Sequence, residues 1–322
     1  MSASTAKSDS HSDPHDQSRP PVALIAGPTA SGKSAVALRL AEATGGVIVN
    51  ADASQVYADL SVLSARPDAA DLARAPHRLF GHVDGAEAVS AARWAQEARA
   101  EIVAIHKAGG LPILTGGTGL YLDTLIHGIA PIPDIAPAIR AEVRAMPVSE
   151  SYAALSREDP EVAARLNATD TTRVARALEV VRGTGSSLTH WQRKRVGGIA
   201  GSVTIHAGVA MRPKAELAER AEARLDMMLG GGAVEEVATL LARGLPDDRP
   251  VLRALGVREI ALMLSGEIDR AETRARILQQ TIAYQKRQLT WARGRQADWT
   301  RLEAHMKPSL ESLGRLTIPH GN

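Results

Sequence analysis

Gly27-Pro28-Thr29-Ala30-Ser31-Gly32-Lys33-Ser34 carries the clearest chemistry in the chain. The run matches G-x-x-x-x-G-K-[ST], the pattern of a phosphate-binding loop. Its glycines let backbone N–H groups turn inward around phosphate oxygens, and a helix starting near Lys33 points its positive end at the same place. Lys33 adds a charge, and the Ser34 hydroxyl can ligate Mg²⁺. The loop does not choose among ATP, GTP and a prenyl diphosphate, which present the same oxygens. Two other groups could join it. Asp52 closes a short apolar run and could act as a general base, or hold Mg²⁺ through water. Alone, it reads as readily as the carboxylate of an Asx turn. Thr118 follows Gly116-Gly117, where the missing side chains let a ligand approach the backbone. An ordinary turn has the same composition.

These groups need elements to place them. Residues 22–26 read as a buried strand that enters the loop, and 34–43 as the helix that leaves it. A second strand spans 47–49 and ends at Asn50-Ala51-Asp52. A long helix over 90–107 carries Ala91, Trp94, Ala98, Ile102 and Ile105 at helical spacing and stops at Gly109-Gly110. A third strand, 111–114, ends in the Gly-Thr turn. Alternating strands and helices predict a parallel α/β sheet, in which ligands sit at the carboxyl ends of the strands. All three candidate turns fall there. Pro131 and Pro133 mark a break near Gly128, after which no convincing strand appears until 203–211. The economical reading is an all-helical insertion within the α/β core. Helices are expected over 214–229, 233–243, 253–263 and 271–294. The divisions are therefore a disordered tail at 1–20, core at 21–127, insertion at 128–200, core continuation and C-terminal helices at 201–310, and a tail at 311–322.

The chain has 322 residues, with 44% hydrophobic and 23% charged, enough apolar material for a real core over about two domains. The absence of cysteine excludes disulfides, thiol catalysis and Cys-based zinc sites. His77 and His190 have no partner ligands at metal spacing. No run approaches the length of a membrane helix and the N-terminus is no signal peptide, so a cytoplasmic protein is expected. Net charge is only +2, but arginine is dense over 140–195 and 253–301. That clustering suits a polyanion, and a solvated basic surface equally. In the last helix, Leu278, Ile282 and Leu289 form one stripe and Ile277, Tyr284 and Trp291 another, both expected to be core. Lys286 and Arg293 share a face beside the first stripe and could meet phosphates.

The joint pattern resembles the tRNA dimethylallyltransferase family, also called isopentenyl-diphosphate:tRNA transferases. Residues 27–34 are similar to its GPTASGKS loop, and 50–57 to its D-S-x-Q-x-Y element. Pro76-His77-Arg78-Leu79 resembles its PHRL segment, and 116–121 its GGTGLY turn. Residues 173–179 resemble its R-x-x-R-A-L-E helix, 253–256 its RALGY element, and 286–291 its KRQxTW element. The order and spacing run through almost the whole chain. The resemblance implies a P-loop NTPase-like parallel sheet flanked by helices, with a helical insertion that grips the anticodon stem-loop. It implies transfer of a dimethylallyl group from dimethylallyl diphosphate to N6 of adenine 37 in tRNA, releasing diphosphate, with Mg²⁺ as cofactor. Asp52 would be the general base, Thr118 would contact the target nucleotide, and Arg224 would stabilise the leaving diphosphate. Contacts to tRNA would come from Asp52, Ala53, Ser54, Gln55, Thr118, Arg140, Thr172, Arg173, Arg176, Arg253, Arg258, Lys286, Arg287 and Arg293. A monomer would suffice. Ala53 stands where the family usually has Ser, Thr172 where Gln is frequent and Val257 where Tyr follows the glycine. Residues 63–67 replace a G-T-A-K-P type segment, keeping a hydroxyl and a cation.

Three other readings compete on the residues alone. A small-molecule kinase would use the same loop with ATP and an acceptor hydroxyl. A free-nucleotide prenyltransferase would take AMP or ADP. A nucleotide-gated RNA-binding module would leave Asp52 and Thr118 without work.

Overall fold

The computed structural model describes residues 19–303 and 308–316. The tail expected at 1–20 lies outside them except for its last two positions. The chain divides into two compact units, Met1–Asp123 with Ala200–Asn322, and Thr124–Ile199.

The first unit is built on one sheet. Its early elements are β1 (Pro21–Ala26), α1 (Lys33–Thr44), β2 (Val47–Asn50), α2 (Ala69–Arg74), β3 (His77–Arg78), α3 (Ala91–Lys107), β4 (Pro112–Gly116) and α4 (Gly119–His127), within which the unit ends. Val22 through Ile25 are fully buried. A continuous apolar run of this kind belongs to a strand covered on both faces, the signature of a parallel sheet. The order is β3-β2-β4-β1 on one side, with every pairing parallel. Two glycines in the left-handed region bound α1: Gly32 at φ 91 and Gly45 at φ 67. Between them Val36, Leu40 and Ala41 pack with Ile25, Ile48 and Ile113. The N-cap of α3 is Ser90, whose hydroxyl accepts from Arg93 N–H at 3.1 Å. Trp94, Ala98, Ile102 and Ile105 are buried on this helix, at the expected spacing.

The second unit holds α5 (Pro137–Ala145), α6 (Val148–Glu158), α7 (Pro160–Ala163), α8 (Thr171–Thr184) and α9 (Leu188–Gln192). Leu155, Val174, Ala177 and Leu178 form its core. Among its described residues the only β pairing is an isolated bridge between Ile129 and Val196. Glu179 is 2% exposed and meets Arg144 at 2.9 Å and Arg176 at 3.5 Å.

The chain returns to the first unit in β5 (Thr204–Ala210), which lies parallel to β1. Then follow α10 (Lys214–Gly230), α11 (Ala233–Ala242), a 3-10 turn (Pro250–Arg253), α12 (Val257–Leu264), α13 (Arg270–Arg295), β6 (Thr300–Leu302) and β7 (Gly314–Arg315). The helix expected over 253–263 is thus broken. Gly256 adopts φ 96, a left-handed conformation that cannot continue a right-handed helix. The tail expected from 311 contains β7, which pairs antiparallel with β5. No helix among the described residues is long and apolar enough to cross a membrane.

Candidate active site

The loop at 27–34 leaves the carboxyl end of β1, a central strand flanked by β4 and β5. Gly27 is required by space, since a Cβ there would stand 2.7 Å from Ala210 O. Side chains from distant elements hold the loop's backbone. Arg212 Nε donates to Ser31 O and Arg220 Nε to Ala30 O, each at 2.9 Å. From α13, Gln288 accepts the Thr29 N–H at 2.8 Å, and Gln285 Nε2 donates to Thr29 O at 3.0 Å. The Ser31 hydroxyl is buried with no hydrogen-bond partner among the described residues. Desolvation lowers the Lys33 pKa to about 8; Asp52 opposes the drop and Arg224 adds to it.

Asp52 follows β2, whose end is fixed by Trp94. The indole Nε1 donates to Asn50 O at 2.9 Å, and its ring stacks on Tyr121 at 4.5 Å. Asn50 Oδ1 accepts the Asp52 N–H at 2.8 Å. The Asp52 carboxylate accepts from the Ser54 hydroxyl at 2.7 Å and the Ser54 N–H at 3.1 Å. Thr118 bridges the neighbouring turn, its Oγ1 accepting the Ala53 N–H at 2.9 Å. Ala53 therefore contributes a backbone donor where its side chain has none.

Two cavities share Asp52. The first is lined by Lys33, Ser34, Asp52 and Arg224, with an apolar wall that includes Leu63, Met228 and Ile277. The second, about 590 Å³, is lined by Asp52, Tyr57, Tyr121, Tyr284, Arg253 and Arg287. Burial and the charge of Asp52 push the Tyr284 phenol up to about 12, against opposing hydrogen bonds from Thr118 and Gln288 and the charge of Arg287. It stays a neutral phenol. Burial also lowers the Arg224 pKa, opposed by Asp52. A third cavity lies across the loop, where Lys33 and Arg224 meet Arg39, Arg74 and Arg220. One carboxylate thus stands between a phosphate loop with an apolar wall and a chamber with aromatic rings and two arginines.

A family model described as IPP transferase matches residues 55–295. The chain belongs to the IPP transferase family. A tRNA dimethylallyltransferase of Sphingopyxis alaskensis is 57% identical, over 92% of this chain and 97% of that protein. One of Erythrobacter litoralis is 54% identical over 88% and 92%. Among solved structures, the tRNA isopentenylpyrophosphate transferase of Bacillus halodurans is 30% identical, covers 88% and 90% of the two chains and has a TM-score of 0.64. A eukaryotic dimethylallyltransferase acting on tRNA is 25% identical, covers 88% and 74%, and superposes with a TM-score of 0.74.

Within this family member the structure gathers some of the sequence-predicted residues and disperses others. Lys33, Ser34, Asp52, Ser54, Gln55 and Arg224 line the first cavity; Ala53, Arg253 and Arg287 line the second. Gln55 also braces the wall, its Nε2 donating to Ser64 O and Ala65 O at 2.9 and 2.8 Å. Thr118 does not line these cavities; its hydroxyl accepts the Ala53 N–H and bonds Tyr284, which lines both. Arg258, Lys286 and Arg293 are exposed and border neither cavity. In the second unit Thr172 is exposed and Arg173 is 74% exposed. Arg176 is tied to Glu179, and Arg140 is partly buried. The stripes of α13 need correction. Ile282 is 42% exposed, while Gln285 and Gln288 are buried. A signal was available: 277, 281, 285, 288 and 292 follow helical spacing, so the glutamines fall on the same stripe as Ile277. Among the described residues no three acidic or histidine side chains are placed to hold a metal.

Proposed function

We propose that this chain transfers a dimethylallyl group from dimethylallyl diphosphate to N6 of adenine 37 in tRNA and releases diphosphate. The observation that carries the reading is the placement of Asp52 on the wall shared by the two cavities. The diphosphate would lie on the loop, with Lys33 and Arg224 beside it and the five-carbon chain against Leu63, Met228 and Ile277. The adenine would enter the chamber of Tyr57, Tyr121 and Tyr284, unstacked from its neighbours, as a base must be for chemistry at its edge. Adenine N6 is a weak nucleophile because its lone pair is delocalised into the ring. As the N6–C1 bond forms and the C1–oxygen bond breaks, charge moves in opposite directions at the two ends. Asp52 takes the proton from N6. Loop N–H groups, Lys33 and Arg224 stabilise the departing oxygens.

The donor set fits Mg²⁺. Ser34, a hydroxyl-bearing residue, lines the same cavity as Lys33 and Arg224, and Mg²⁺ with phosphates needs few protein ligands. Bound there, it would neutralise charge on the diphosphate oxygens.

The test is transfer of label from dimethylallyl diphosphate to unmodified tRNA in the presence of Mg²⁺. Asp52→Ala is expected to lower kcat by about 10²–10⁴-fold, the usual worth of a positioned base, with tRNA affinity nearly unchanged. Retention of most activity would remove Asp52 as the base. Label in free AMP instead of tRNA would change the acceptor.

A further inference from the structure

We propose that Gln285 and Gln288 are positioning residues for departure of the diphosphate. They fix the Thr29 peptide of the phosphate loop and tie it to the Gly117 turn and to α10. The inference rests on the reading that this loop holds the diphosphate.

Gln285 is 3% exposed and Gln288 8%, on a helix face shared with Ile277, Leu289 and Ala292. A buried carboxamide costs free energy unless its groups are hydrogen-bonded. An apolar side chain would fill the same space at less cost, so what the glutamines bond is informative. Gln288 Oε1 accepts the Thr29 N–H at 2.8 Å, and its Nε2 donates to Gly117 O at 3.0 Å. Gln285 Nε2 donates to Thr29 O and to Leu217 O, both at 3.0 Å. Both backbone polar groups of one loop residue are therefore held by one helix, and each glutamine reaches on to a second element. Gly117 leaves room for this: a Cβ there would stand 2.1 Å from Gln288 Nε2. Leu217 lies on α10, the helix that carries Arg224.

The loop needs such a hold. The next residue, Ala30, has φ 66, a left-handed conformation that a side-chain-bearing residue keeps only when its surroundings impose it. Donors that stabilise a leaving group act best when aimed before the reaction, because they then need not reorganise as charge develops. Freed from the glutamines, the loop would relax about Thr29 and Ala30, and its N–H groups would lose their common aim.

Gln288→Met and Gln285→Met keep side-chain length and remove the hydrogen bonds. Inorganic pyrophosphate affinity is measured by calorimetry, and transfer kinetics with dimethylallyl diphosphate and tRNA. For Gln288→Met the pyrophosphate Kd is expected to rise about fivefold to tenfold, the loss of one or two modest hydrogen bonds. The value of kcat should fall with it, by a larger factor than any change in the KM for tRNA, while the Tm drops only by the modest amount that a lost buried hydrogen bond costs. Gly117→Ala, which displaces the same carboxamide from its other side, should reproduce the defect and should not add to Gln288→Met. If Gln288→Met fails to fold, Gly117→Ala decides alone. Unchanged pyrophosphate affinity and kcat would overturn the positioning role and leave the phosphate loop standing. Equal losses in pyrophosphate and tRNA binding would make the glutamines merely structural, and also overturn it. An active wild-type enzyme that binds no pyrophosphate would remove the reading of the loop, and the inference with it.

Discussion

Lys33 has been made a poor ammonium by its surroundings, and this has opposite consequences for folding and for binding. Its pKa falls from 10.5 to about 8, so the charged form is penalised in the folded protein below that pH. Stability therefore rises as pH climbs from 8 toward 10.5, where the folded protein has lost a proton that the unfolded chain still holds. Binding of a diphosphate has the other sign, because the anion favours the protonated lysine. Above about pH 8, wild type should lose pyrophosphate affinity relative to Lys33→Arg, whose charge does not titrate in this range, by up to about tenfold per pH unit. Parallel pH profiles for the two proteins would refute the assignment. That Asp52, Lys33 and Ser34 would meet around one cavity was legible in the sequence, because their placement depends on position along the chain: a strand end and a loop of fixed pattern. Tyr284 was legible only as a helical stripe, since nothing in its spacing tells a cavity wall from a core. Gln285 and Gln288 fall outside both apolar stripes read from the sequence, because a stripe defined by apolar residues alone passes over a buried amide. Their burial follows from partners that lie 68 to 259 residues away in sequence.

The turns at the strand ends depend on close backbone approach, which makes glycine a structural requirement there. A Cβ on Gly116 would stand 2.1 Å from Ala51 O, whereas one on Gly201 would meet nothing within 4 Å. Gly116→Ala should destabilise by about 1–3 kcal/mol in urea titration, the range of forced overpacking, and Gly201→Ala should be nearly neutral. Equal midpoints for the two would show that the β2 and β4 ends can part freely. A similar dependence holds the wall of the first cavity. Glu236 on α11 accepts the N–H groups of Ser61, Val62 and Leu63. Glu236→Ala should therefore cost about 1–3 kcal/mol and raise the KM for the prenyl donor. An unchanged KM would detach this loop from donor binding. Strong elements such as β1 and α3 declared themselves by composition and spacing. β3, β6 and β7 did not, since strands of two or three residues have no period to read and exist only because a neighbour's free edge accepts them.

Over the molecule as a whole, a net charge of +2 hides an uneven distribution, and that distribution should govern affinity for RNA. Arg173, Lys286 and Arg293 are exposed, so each that meets a phosphate should contribute about 0.7–0.9 to the slope of log Kd against log salt. Single alanine variants should flatten that slope by about this amount without changing kcat; an unaltered slope would make the residue a solvated charge. The sheet carries a different consequence, for the order in which the chain is made. β1 begins at Pro21, yet its partner β5 begins at Thr204, and the whole helical unit at 124–199 is synthesised in between. That unit has its own core and can settle early. The central strand, already bearing the phosphate loop, must wait with one edge unpaired until the ribosome has delivered residues from a later stretch. A newborn chain of this protein therefore passes through a long stage as a half-sheet, and any slowing of translation between 124 and 204 prolongs the exposure of its most apolar strand.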